Sequence, residues 1–293
     1  MMPPRAIVFD LFHTLTGLES EWCDLPWTSD VLGIDRTVWN TALTVQSRWR
    51  VAGEERDPYR IVERLARAID PSITDETLRK AVEVRTARFR HSLSRVPPAN
   101  AETLRRLRAA GFRLGLISNA DVMEVAAWAD SPLAGLFDVE VFSCTAGCVK
   151  PEPAIFARCL DALDVAADES MFVGDGSSDE LVGAKSVGMT TVLVSGVIQE
   201  LWPDKIAARA AIADHHVVWV PEILGLVGVA GLRRASARSR SERHWLRLGL
   251  RSTPSRHVPS SCIRRPPCWW WPKQGKTAGS TASCRRRHGR GAR

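Results

Sequence analysis

Long apolar runs are missing from this chain of 293 residues. The N-terminus offers one candidate, Ala6-Ile7-Val8-Phe9, and Asp10 interrupts it, which argues against a signal peptide, a spanning helix or any membrane partner. Paired cysteines are missing too. Seven Cys is an odd number, and Cys144 and Cys148 flank a loop rather than forming a close ligand pair, so reduced thiols and a cytoplasmic protein are expected. Cys262, Cys268, Cys284 and His288 lack a recognised zinc spacing. Acids all but vanish after residue 230: residues 231–293 hold 17 Lys and Arg against the single acid Glu242, a net of +16. The chain's formal charge of +7 therefore conceals a net of −9 over residues 1–230.

That basic tail also lacks periodicity. Arg233-Arg234, Trp269-Trp270-Trp271 and Arg285-Arg286-Arg287 are scattered among Pro and Ser, a composition that buries no core. Its charge would suit nucleic acid. Yet the abrupt change has the character of a GC-rich gene read in a shifted frame, so the tail is expected to be disordered and no nucleic-acid partner is expected.

What is present lies upstream. Ala6-Ile7-Val8-Phe9-Asp10 is an apolar strand that delivers a carboxylate to a loop mouth, followed by Leu11-Phe12-His13-Thr14. In open parallel sheets ligands bind at the carboxyl ends of strands, although a lone Asp there also caps turns. Arg113-Leu114-Gly115-Leu116-Ile117-Ser118-Asn119 is a second apolar run, ending in a hydroxyl and an amide. Lys150 precedes a helix start marked by Pro151 and Pro153. Met171-Phe172-Val173-Gly174-Asp175-Gly176-Ser177-Ser178-Asp179-Glu180 is a third strand ending on acids.

In this order and spacing, over residues 5 to about 220, the four segments resemble the haloacid dehalogenase (HAD) superfamily of hydrolases. The resemblance implies an α/β fold, a Rossmann-like parallel sheet core with an inserted α-helical cap domain. It implies a nucleophile, Asp10, forming an aspartyl-phosphate from a small phosphorylated substrate. A carboxylate attacks a phosphate dianion only when a cation neutralises the pair, and oxygen ligands suit Mg²⁺. By resemblance the metal ligands are Asp10, the Phe12 carbonyl, Asp175 and one further acid. Counting forward from Asp175 selects Asp179, and counting back from Gly183-Ala184 selects Glu180. Ser118, with Asn119 beside it, would hold the transferring oxygens, Lys150 would balance charge, and Phe12, His13 and Thr14 would contact substrate.

Two departures pull in opposite directions. The family's phosphatases carry an acid two residues after the nucleophile, and here that position is Phe12. Proton delivery is worth about 10² to 10⁴ in rate, so its loss implies a good leaving group, a substitute donor such as His13, or another reaction. An aromatic there is similar to the metal-independent 2-haloacid dehalogenases, where Arg36, Arg48 or Arg50 could hold the departing halide. Conversely, Gly174-Asp175, which dehalogenases tend to lose, is kept, and this favours a metal. A third reading is a catalytically weak ligand-binding or regulatory protein. A Schiff-base route is not expected, because Lys80 is the only lysine between Asp10 and Lys150.

Strand-like runs recur near 5–10, 113–118, 139–143, 171–174, 190–195 and 216–220, with helical patterns between most of them. Asn100 is expected to cap a helix whose Leu104, Leu107 and Ala110 face inward before Gly111 ends it, and Ile155, Cys159 and Leu163 form the stripe of the next. About ninety residues separate the first two strands where a crossover needs roughly thirty, so a helical insertion is expected. Val38, Ala42, Val45 and Trp49 form one face, Asp57-Pro58 starts a helix carrying Ile61, Leu65 and Ile69, and Leu78, Val82, Phe89 and Leu93 mark a third. Trp22, Trp27 and Trp39 are candidates to line the pocket. The division expected is a core of 1–15 and 99–230, a cap of 16–98 and the tail of 231–293.

Overall fold

The computed structural model describes residues 4–18, 23–45 and 47–229. Trp22 and the whole 231–293 segment, with Cys262, Cys268, Cys284 and His288, lie outside the described residues. Among the described residues six strands form one sheet: β1 (Ala6–Phe9), β2 (Arg113–Ser118), β3 (Val139–Phe142), β4 (Ser170–Gly174), β5 (Thr190–Val194) and β6 (His215–Val217). Each overlaps an expected run. The last stops at Val217, because Val220–Glu222 turns into a helical segment around Pro221. All pairings are parallel, in the order β3-β2-β1-β4-β5-β6.

Side-chain alternation along β1 explains why both faces are covered. Ile7 and Phe9 pack with Leu104, Leu107 and Leu116, whereas Ala6 and Val8 pack with Ile155, Phe156 and Phe172 on the opposite face. The strand order reverses between β1 and β4, and the crevice beyond their carboxyl ends is where this topology binds ligands. Asp10 and Asp175 follow those two strands directly.

The long connection from β1 to β2 is helical. It contains Thr28–Leu32, Arg36–Val45, Arg48–Val51, Pro58–Ile69 and Asp75–Ser94, before Pro98–Ala109 returns to the sheet. Asp57 caps its helix by accepting from the amides of Tyr59 (2.8 Å) and Arg60 (3.3 Å), with Pro58 as the first helical residue. Thr74 does the same for Thr77, at 3.2 Å. These helices bury their own cluster, including Trp39, Leu43, Trp49, Ile61, Leu65 and Leu78.

Four details differ from the sequence reading. Val38 and Val45 are exposed, and the helix buries Trp39, Asn40 and Leu43 instead. The apolar stripe drawn through Trp49 crossed a break, since Arg36–Val45 and Arg48–Val51 are separate helices. Asn100 is no cap. Pro98 begins that helix, and the Asn100 amide donates to the Leu15 carbonyl at 2.9 Å, tying the helix to the loop after β1. Ala110, at the helix end, is exposed. Among the described residues no helix is long and apolar enough to cross a membrane.

Candidate active site

Asp10 is delivered by β1 into a buried corner. Its amide continues the β1–β4 ladder to the Val173 carbonyl at 2.9 Å, which fixes where its side chain emerges. One carboxylate oxygen accepts from Lys150 Nζ at 2.5 Å and the other from the Thr14 hydroxyl at 2.8 Å. Lys150 Nζ also reaches Glu180 Oε2 at 2.6 Å and the Ile117 carbonyl at 3.2 Å. Asn119 holds the lysine's backbone with a reciprocal pair, its amide donating to Lys150 O (2.9 Å) and its carbonyl accepting from Lys150 N (2.8 Å).

Asp175 and Glu180 complete the corner. Asp10, Asp175 and Glu180 are buried, and one oxygen from each lies within 4.8 Å of the others. Glu180 enters because Gly174 has no side chain: a Cβ there would stand 2.1 Å from Glu180 Oε1. Asp179 is not part of this cluster. The turn runs through left-handed backbone at Gly176, Ser178 and Asp179, which leaves Asp179 exposed and starts the inward-facing helix at Glu180.

Burial pushes the Asp10 carboxyl up, Lys150 opposes this, and Asp175 adds to it. Burial and then the Asp10 charge push Glu180 well above the usual range. Lys150 moves upward despite its burial, because both acids hold its proton. Lys150 pairs with Asp10 and Glu180, and Arg209 pairs with Asp175, so three buried carboxylates face two cations and one negative charge is in surplus, an arrangement that is costly unless a further cation or a proton joins it. A hard oxygen-only donor set fits Mg²⁺.

A cavity of about 280 Å³ opens above this corner. Asp10, Lys150, Asp175 and Glu180 lie on its core side, and Thr44, Val45, Arg48, Arg50, Val51 and Phe89 come from the inserted helices. Phe12 lines it with its ring edge-on to Phe89, centroids 5.3 Å apart, so an apolar wall stands beside the charged floor. His13 also lines it, with a backbone φ of 63° and its ring edge-on to Trp202 at 5.3 Å. Ser118 ends β2 and is buried, its hydroxyl without a hydrogen-bond partner among the described residues, and neither it nor Thr14, which bonds Asp10, lines the cavity. Neither Trp27 nor Trp39 reaches the cavity: Trp39 is core to the inserted helices, and Trp27 is sandwiched by Arg36 and Arg88.

Sequence reasoning missed a buried charge cluster in the wall. Arg50 bonds Asp121 and Glu124, and Arg85 bonds the same two acids, joining the inserted helices to the loop after Asn119. It also missed Arg209, whose Nη1 is 2.7 Å from the Asp175 carbonyl and 3.4 Å from its carboxylate. No local sequence signal marks either.

A family model of haloacid dehalogenase-like hydrolases matches residues 4–188. The glyceraldehyde 3-phosphate phosphatase of Pyrococcus abyssi is 37% identical over 98 residues, 32% of this chain and 40% of that protein. The match thus spans less than half the length of that curated relative. Among solved structures, a HAD phosphatase from Thermococcus onnurineus superposes with a TM-score of 0.51 at 24% identity, covering 78% of this chain and 100% of the other. An L-2-haloacid dehalogenase from Xanthobacter autotrophicus with chloropropionic acid covalently bound gives 0.54 at 19% identity, covering 77% and 98%. At such identities these two likenesses speak for the fold alone. With the family model spanning more than half of its length, the chain belongs to the haloacid dehalogenase-like hydrolases.

Proposed function

We propose that this hydrolase is a Mg²⁺-dependent phosphatase of small phosphorylated compounds. Its core would be residues 1–15 and 99–230, closed by a helical cap of residues 16–98. One observation carries the reading: the buried acids Asp10, Asp175 and Glu180 converge on one another, and their three charges exceed the two of Lys150 and Arg209 that pair with them. Asp10, Asp175, Glu180 and the Phe12 carbonyl would hold the ion, which supplies the charge neutralisation a phosphate dianion needs to approach a carboxylate. Thr14 and Lys150 fix the Asp10 carboxylate, which attacks phosphorus as the bond from phosphorus to the leaving oxygen breaks; the leaving group takes its proton from water, and a second water then cleaves the aspartyl-phosphate to release phosphate and restore Asp10. Ser118 lies behind the cavity lining with its hydroxyl unpartnered among the described residues, so its donation to the transferring oxygens would require the hydroxyl to turn toward Asp10. Asn119 keeps Lys150 in register. A cavity of about 280 Å³ suits a small substrate, and the inserted helices above it exclude water.

A 2-haloacid dehalogenase is favoured by the Phe12–Phe89 wall, which puts carbon where a phosphatase keeps its acid. Against it, the candidate arginines are committed elsewhere. Arg50 is engaged by Asp121 and Glu124, and Arg36 pairs with Asp30 over Trp27. Only Arg48 of the three remains at the cavity with an exposed side chain, shared with Glu54 and Glu152.

Assays of phosphate and halide release, with and without metal, separate the readings. EDTA and Asp175→Ala should each remove phosphate release, with Mg²⁺ restoring it in the wild type alone. Phe12→Asp should raise the rate most for poor leaving groups, because it supplies the missing proton donor. Halide release from a 2-haloacid in excess EDTA would replace this reading with the dehalogenase.

A further inference from the structure

The turn that presents Asp175 has an unusual backbone. Gly176 sits at φ 81°, and two residues with side chains, Ser178 and Asp179, sit at φ 54° and 51°. Such conformations persist only where surrounding contacts impose them. Two of those contacts are local: Asp175 accepts from the Ser177 amide (2.8 Å) and hydroxyl (2.6 Å), and Glu180 Oε1 accepts from the Gly176 amide (2.9 Å).

The third contact is long-range. Arg209, on the short helix Ile206–Ala210 between β5 and β6, sends Nη1 to the Asp175 carbonyl at 2.7 Å and to its Oδ2 at 3.4 Å. The stem passes across Gly176, where a Cβ would stand 2.9 Å from Arg209 Cδ. The guanidinium lies 5.7 Å from the centre of Trp202, the ring that also packs on His13 of the nucleophile loop. Arg209 is thus wedged behind the acidic turn, with only 12% of its side chain exposed, and its hydrogen bonds reach Asp175 but neither Asp10 nor Glu180.

We propose that Arg209 is a positioning residue that holds Asp175 in the orientation from which its carboxylate joins Asp10 and Glu180 around one divalent cation. This rests on the metal-dependent reading above. Two effects of the arginine oppose each other. Its charge beside Oδ2 weakens the attraction of Asp175 for a cation, while its hydrogen bonds hold the ligand in place. Partners that orient metal ligands are typically worth about 10 to 100-fold in affinity, so orientation should win.

The test is a Mn²⁺ titration of the full chain, following free Mn²⁺ by its paramagnetic resonance, with melting temperature recorded in parallel. Arg209→Met keeps the stem against Trp202 and Gly176 and removes the donors. It should weaken Mn²⁺ binding about tenfold or more with little change in melting temperature, and keep most of kcat at saturating metal. Arg209→Lys, which retains a charged donor, should recover affinity to within about threefold of wild type. If the Met variant does not fold, Arg209→Leu, which also lacks donors, carries the same comparison against Lys. Wild-type binding that is unchanged or tightened in the Met variant overturns the role of Arg209 alone. No Mn²⁺ binding by the wild type, at concentrations where Asp175→Ala also shows none, removes the metal site and this inference with it.

Discussion

Asp10 has two restraints that do different things. Thr14 fixes one oxygen by hydrogen bonding, and Lys150 fixes the other by charge while also satisfying Glu180. Replacing Asp10 with Asn keeps the shape and an acceptor for Thr14, and it leaves Lys150 paired with Glu180. Asp10→Asn should therefore melt within a few degrees of wild type and lose turnover almost completely, since an amide is no nucleophile. Steady-state kinetics decide this. Retention of more than about a tenth of wild-type kcat would remove Asp10 from the nucleophile's place. At this scale the sequence was informative because β1, β2 and β4 each lead directly to a candidate residue, Asp10, Ser118 and Asp175, and the resemblance gave each a role. It left Asp179 and Glu180 unresolved, because both lie one turn from Asp175. The choice between them depends on the left-handed backbone at Ser178 and Asp179, which no local pattern announces.

Between elements, the Arg50–Asp121–Glu124–Arg85 cluster joins two inserted helices to the loop after β2. Its charges balance, two against two, and the acids also receive backbone donors. The Met123 and Glu124 amides donate to Asp121 at 2.9 and 3.0 Å, and the Asp121 amide donates to Glu124 at 2.8 Å. Removing one partner of such a buried group costs about 3 to 5 kcal/mol, because a charge is left uncompensated. Asp121→Asn should show a loss of that order in urea unfolding at neutral pH. Burial would raise the Asp121 carboxyl, but Arg50 and Arg85 outweigh it and hold it below its ordinary 3.8. Glu124 moves the other way, pushed up by burial and by Asp121. A depressed carboxyl gives stability that is present above its unfolded pKa and lost as pH falls through the folded one. The gap between wild type and Asp121→Asn should therefore be widest at neutral pH and narrow below about pH 4. A gap that stays constant from pH 7 to pH 3 would refute this. The cluster was illegible in the sequence because charged residues default to the surface and these pairs are 36 to 74 residues apart. Strands were legible for the opposite reason, being short apolar runs closed by polar or glycine punctuation, whereas the face of Arg36–Val45 was misread by carrying one period across a helix break.

For the molecule as a whole, the question is how much of the chain the enzyme needs. Among the described residues β6 is the last strand of the sheet, and the helix Ile223–Leu226 that follows is built into the core, with Ile223 and Leu224 packed in the cluster that holds Leu104 and Leu107. Every residue of the proposed site lies between Asp10 and Arg209. The charge divides at nearly the same point, −9 over residues 1–230 and +16 beyond. Residues 1–230 alone should match the full chain in melting temperature and kcat at moderate salt, where attraction between an acidic body and a basic segment is screened beyond about 10 Å. At low salt the two proteins should diverge in solubility and in retention on a polyanion column, as their opposite net charges require. Thermal melts and kinetics on both proteins, at low and at moderate salt, make the comparison. A drop of many degrees or a large loss of kcat in the shorter protein at moderate salt would mean that residues 231–293 dock on the fold through contacts other than charge, and would return them to the enzyme.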